Sequence, residues 1–155
     1  MEHTLFMFTR SSSWGSRVIR WGLGEPVSHV AISHGDYVYH STFSGITRQN
    51  KASFLSSNTV VFLVAVKTAT NPVEEVWRRY SDKKYDVAAF LWFAWRVLLL
   101  RLVNRRIPST NPWNDKNKYL CTEFAEIIVG EDLPDTITPF GMVKAIAQVY
   151  KEQTT

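Results

Sequence analysis

Residues 28–42 read SHVAISHGDYVYHST and hold three of the chain's four histidines, His29, His34 and His40. Two β-rich runs, Val27–Ser33 and Tyr37–Thr42, flank Gly35-Asp36, a pair that suits the tight turn of a hairpin. With Gly35 and Asp36 as a two-residue loop, His34 pairs with Tyr37, and every pair of residue numbers sums to 71. Ala31 then stands opposite His40, and His29 opposite Thr42. Side chains opposed across an antiparallel pair share a face. The register therefore predicts His29 and His40 as diagonal neighbours within reach of each other, with Val30, Ile32 and Tyr39 turned to the other face as core. A three-residue loop would part the two rings.

Two imidazoles on one face admit three uses. Each can be a buried polar group satisfied by hydrogen bonds. Metal binding needs a third protein ligand, and no CxxC, HExxH or acidic cluster at ligand spacing accompanies the pair, so neither a metal nor a cofactor is expected. Nucleophilic catalysis needs a base imidazole whose tautomer is fixed by a partner, and a nucleophile about 3 Å from its other nitrogen. His40 can orient His29, and the single cysteine, Cys121, can be the nucleophile.

Cys121 opens the segment CTEFAEIIVGEDLP, where Phe124, Ile127 and Ile128 are spaced as the buried stripe of a helix that ends at Gly130. A thiol at a helix N-terminus feels the dipole and the free N–H groups, which favour thiolate. Those N–H groups can also hold an oxyanion. The competing use of a lone cysteine is as a small buried apolar side chain.

Outward from the hairpin, residues 4–9 (TLFMFT) predict a strand. Ser11, Ser12 and Ser13 offer N-caps to a helix over about 13–22, on which Trp14, Val18 and Trp21 share a face, and Gly22 and Gly24 end it. Thr59–Lys67 (TVVFLVAVK) reads as a central, doubly buried strand. Pro72 opens a helix with Glu74 and Glu75 in its first turn and Arg78, Arg79 and Lys83 later, the order that the helix dipole favours. An apolar helix starts near 86, the polar stretch 105–118 predicts no regular structure, and a last helix runs from Thr138, with Pro139 near its first position, to Glu152. The expected fold class is α+β: a small antiparallel β-sheet or half-barrel packed with helices, as one domain over residues 1–155.

Composition excludes little more. The chain has 155 residues, 45% of them hydrophobic, and a net charge of +4, which suits an anionic partner and an ordinary surface equally. A lone cysteine cannot form an internal disulfide, and MEHTLFMFTR lacks the features of a secretory signal, so the expected location is cytoplasmic. Residues 87–103, VAAFLWFAWRVLLLRLV, are apolar apart from Arg96 and Arg101. That is short for a membrane span, and an arginine at mid-helix costs about 2.5–3.5 kcal/mol to insert. Residues 87–106, with Arg105 and Arg106, could instead meet an anionic membrane surface. The basic residues are dispersed and the aromatics lie in apolar runs, so no nucleic-acid partner is expected.

The run SHVAISHGDYVYHS, then Gly45-Ile46, Tyr85-Asp86 and YLCTEFAEII together resemble the circularly permuted branch of the NlpC-type papain-like cysteine hydrolases. This branch includes the lecithin:retinol acyltransferase family and bacterial and phage proteins. In it the histidine strand precedes the cysteine helix, as it does here. The resemblance implies a permuted papain-like fold with Cys121 as nucleophile, His29 as base and His40 as orienting residue. Two departures stand out: Leu120-Cys121-Thr122-Glu123 replaces the Asn-Cys-Glu-His run of the acyltransferases, and many bacterial members carry a carboxylate where His40 stands.

The expected activity is that of a thiol-dependent hydrolase or acyltransferase acting on an amide, ester or thioester, with cell-wall peptide as the first substrate class. Tyr85, Trp92, Trp95, Trp113 and Tyr119 are the expected substrate-binding residues, the tryptophans as a wall or lid if they are not simply core. The alternatives are a membrane-surface lipid acyltransferase or thioesterase, and a binding protein without enzymatic activity.

Overall fold

The computed structural model describes residues 3–42, 44–67, 73–82, 84–85, 95, 99, 102, 118–119, 121–129 and 138–152. A five-stranded antiparallel sheet in the order β4-β3-β2-β1-β5 organises them, formed by β1 (His3–Ser11), β2 (His29–His34), β3 (Tyr37–Thr42), β4 (Gly45–Asn50) and β5 (Asn58–Lys67). A second, two-stranded parallel sheet pairs β6 (Lys84–Tyr85) with β7 (Lys118–Tyr119). The helices whose bounds fall among the described residues are α1 (Trp14–Leu23), α2 (Lys51–Ser57), α3 (Val73–Tyr80), α4 (Cys121–Val129) and α5 (Pro139–Glu152).

The hairpin forms in the predicted register: Ile32 pairs with Tyr39, Ser33 with Val38 and His34 with Tyr37. Gly35 takes φ 57°, the left-handed conformation that such a turn requires and glycine adopts without strain. Alternation then divides the strands between two faces. Phe6, Phe8, Val30, Ile32 and Tyr39 point one way into the main core, under α3, α4 and α5, which contribute Val76, Phe124, Ile128, Met142 and Ile146. Met7, Ala31 and Val38 point the other way and meet Phe54 of α2 in a smaller cluster.

Helix ends follow the local chemistry. Ser13 accepts a hydrogen bond from the Ser16 N–H as the N-cap of α1, a contact worth about 1 kcal/mol. Gly24, at φ 68°, closes the helix through its N–H to the Arg20 carbonyl. Gly22 does not end the helix as expected; it is buried within the last turn. The Thr138 hydroxyl accepts from the Gly141 N–H and caps α5. On α3, Arg78 pairs with Glu74 and Arg79 with Glu75 at i,i+4, while Arg48 of β4 reaches Glu74 and stacks over the Trp77 ring at 4.8 Å. Exposed pairs of this kind contribute about 0–1 kcal/mol each.

Three expectations need correction or extension. β5 is an edge strand, not a central one: its neighbour is β1, and Leu63 is 58% exposed while Val66 is buried. Its β-branched run reflects strand propensity and a single buried face. The sequence reading also missed β4 and α2, because GITRQN and KASFLSS carry mostly polar side chains. Asn50 Oδ1 marks the boundary between them by accepting from the Ala52 and Ser53 N–H groups. Lys118, placed in the irregular stretch 105–118, is in β7.

Of the apolar stretch 87–103, the described residues are Trp95, Leu99 and Leu102, all helical and all exposed. Among the described residues no helix is long and apolar enough to cross a membrane.

Candidate functional site

Both rings of the predicted pair lie on the Met7–Ala31–Val38 face. His29 begins β2 and His40 lies in β3, so their side chains meet diagonally: His29 Nε2 and His40 Nδ1 are 3.1 Å apart, with the rings edge-to-face. Phe54 of α2 packs edge-on against His40, centroid to centroid at 5.0 Å, and closes that side of the pair to water. Thr9, opposite His29 on β1, is fully buried, and its hydroxyl has no hydrogen-bond partner among the described residues.

The pair has a neighbour that the sequence reading missed. Gln49 of β4 pairs with Val38 in register and so lies diagonally beside His40 on the same face. Its Nε2 donates to Ser53 Oγ at 3.0 Å. The carbonyl oxygen is then the Gln49 atom left to face His40, whose charged form Gln49 favours. One proton is shared between His29 Nε2 and His40 Nδ1, and the tautomer in which His29 Nε2–H donates leaves the His29 lone pair on Nδ1. The signal for Gln49 was present in the alternation of GITRQN, which puts Thr47 and Gln49 on one face once β4 is recognised as a strand.

Electrostatics keep both rings neutral. Burial, and secondarily the charge that His40 would carry, lower the His29 pKa from 6.5 to about 3. Burial also lowers that of His40, against the opposing pull of the Gln49 hydrogen bond. A neutral His29 is a proton acceptor, and its imidazolium becomes favourable only beside a compensating anion.

Cys121 is the first residue of α4, half-buried and packed against the main core. α4 lies chiefly over β2, then β3. Its Phe124, Ala125 and Ile128 join the Phe6–Ile32–Tyr39 side of the sheet, and Ile127 of the expected stripe is half-buried. The structure thus brings His29 and His40 into contact and brings the cysteine-bearing helix onto the strand that His29 begins. The helix body and the imidazoles occupy opposite faces. A sulfur on α4 can meet the His29 ring only around the end of β2, where His29 stands first.

The other expected residues divide similarly. Tyr85 and Tyr119 are register partners in the β6–β7 pair, which lies beside β4 and ends two positions before Cys121. Trp95 is 60% exposed. Trp92 and Trp113 lie outside the described residues. Among the described residues, no group of three or more His, Cys, Asp or Glu gathers to hold a metal ion. Comparisons with protein-family models, with curated proteins and with solved structures return no match.

Proposed function

We propose that this chain is a thiol-dependent hydrolase or acyltransferase of permuted papain-like fold. Cys121 attacks an acyl carbonyl, His29 Nδ1 accepts the thiol proton and returns it to the leaving group, and His40 orients His29. The observation that carries the reading is the 3.1 Å contact between His29 Nε2 and His40 Nδ1, with Gln49 beside His40; the tautomer that donates from His29 Nε2 leaves a lone pair on Nδ1 of the base. The thiolate supplies the anion that makes the His29 imidazolium favourable, and the first backbone N–H groups of α4 receive the oxyanion. Acyl-enzyme release to water gives hydrolysis, and release to another acceptor gives transfer. A peptide amide is the first substrate class, as the NlpC-type resemblance implies.

The test is alkylation of Cys121 by iodoacetamide at pH 6. A free thiol of pKa near 8.5 is less than about 1% thiolate there, so pairing with His29 raises the rate by about two orders of magnitude, and His29→Ala removes that gain. Equal rates in the two proteins would remove the thiol–imidazole pair. Cys121→Ala should remove turnover of an acyl substrate while leaving the melting temperature close to that of the parent.

A second reading, a lipid acyltransferase or thioesterase at an anionic membrane surface through residues 87–106, is favoured by one observation: Trp95, Leu99 and Leu102 recur at i, i+4 and i+7 and are exposed.

A further inference from the structure

α1 carries a stripe that the core does not use. Trp14, Arg17 and Trp21 are exposed at i, i+3 and i+7, with Trp14 at 81% and Trp21 at 60%. Seven residues of helix place the two indoles about 10.5 Å apart along the axis, with the guanidinium between them. From residue 3 to residue 24 the chain has Arg10, Arg17 and Arg20 and no acidic residue. The next acid, Glu25, is turned to the start of α5, near Thr138 and Phe140.

We propose that α1 docks the protein on an anionic lipid surface, with Trp14 and Trp21 entering the headgroup layer on either side of Arg17. Large exposed indoles are costly in water and favourable at a membrane interface, where the ring meets acyl chain and the N–H meets headgroup. Arginines add attraction to an anionic leaflet. A single stripe on a convex helix with one intervening cation lacks the basic groove that follows a nucleic-acid backbone, which favours lipid. The exposed Trp95–Leu99–Leu102 stripe adds a second surface of similar apolar character.

The inner side of α1 is held firmly. Ser16 Oγ lies 2.6 Å from Ser28 Oγ and accepts from the Ser11 N–H at 3.0 Å. Because Ser28 precedes His29, docking through α1 fixes the start of β2 relative to the membrane. This inference does not depend on Cys121 chemistry.

Co-sedimentation of the full chain with vesicles tests it, using phosphatidylcholine alone and phosphatidylcholine containing about 30% phosphatidylserine, at about 50 mM salt and at about tenfold higher salt. The expected result is binding to the anionic vesicles alone, weakened at high salt. Affinity should fall about tenfold or more in Trp14→Ala/Trp21→Ala and, separately, in Arg17→Glu. Circular dichroism and melting temperature, measured on both variants alongside the parent, separate lost affinity from lost folding. Cys121→Ala should bind as the parent does, which separates this inference from the proposed catalysis. It is overturned if the parent binds no anionic vesicle at low salt, if both α1 variants bind undiminished, or if the stripe binds a single-stranded oligonucleotide and no vesicle.

Discussion

The two faces of the sheet are made from alternate residues of the same strands, yet they carry opposite chemistry. On β1 and β2, Phe6, Phe8, Val30 and Ile32 go to one side; Met7, Thr9, His29 and Ala31 go to the other. The first side is roofed by α3, α4 and α5 and supplies most of the buried apolar area. The second has a small cluster around Phe54 and two polar contacts, Gln49 with Ser53 and His40 with His29. Burying imidazoles costs free energy unless their hydrogen bonds are made. The apolar side can offset that cost because area removed from water stabilises at about 25 cal/mol per Å².

The largest effect expected from this asymmetry is on the apolar side. Phe6→Ala, at a residue with 0% exposure, should lower unfolding free energy by about 3–5 kcal/mol in urea titration. Val38→Ala on the other face should cost clearly less, and equal losses would break the comparison.

Acid should act mainly on the polar side. His29 is neutral in the fold down to about 3, whereas the unfolded chain takes up its proton near 6.5. The unfolded state therefore binds more protons in that window. Stability is complete above 6.5 and falls as pH drops toward 3, by up to about 1.4 kcal/mol per pH unit for this one proton. Burial raises the Glu25 pKa, an effect of opposite sign, so the comparison to make is between the parent and His29→Gln. A parent curve as flat as the variant's below pH 6.5 would contradict the buried neutral ring.

The smallest effect sharpens the comparison most. Gln49→Leu removes the polar group beside His40 that favours its charged form, and should cost about 1 kcal/mol. It should also shift the tautomer balance, which nitrogen chemical shifts of the two imidazoles would report. Unchanged shifts would mean that Gln49 has no part in setting the tautomer.

Much of this arrangement was legible in the sequence because it depends on short-range rules. The Gly35-Asp36 turn fixes the hairpin register, and register fixes which side chains share a face, so the His29–His40 contact could be counted out residue by residue. Ser13 and Thr138 mark helix starts for equally local reasons. β4 was not legible: it owes its place to the neighbouring β3, and its own apolar content is low. With β4 went Gln49, whose role exists only across the strand boundary. β5 misled for the converse reason, since a run of β-branched residues looks the same whether one face or two are buried.

The sequence by itself determined the strands and helices with strong periodicity, the hairpin pairing and the meeting of two imidazoles, because each follows from turn chemistry and alternation within a few residues. Only the tertiary structure decided that β5 lies at the edge, that α4 covers the face opposite the histidines, that Gln49 stands beside His40 and that Trp14 and Trp21 face outward. Those outcomes depend on which elements become neighbours, and residues far apart in the chain compete for the same buried surface.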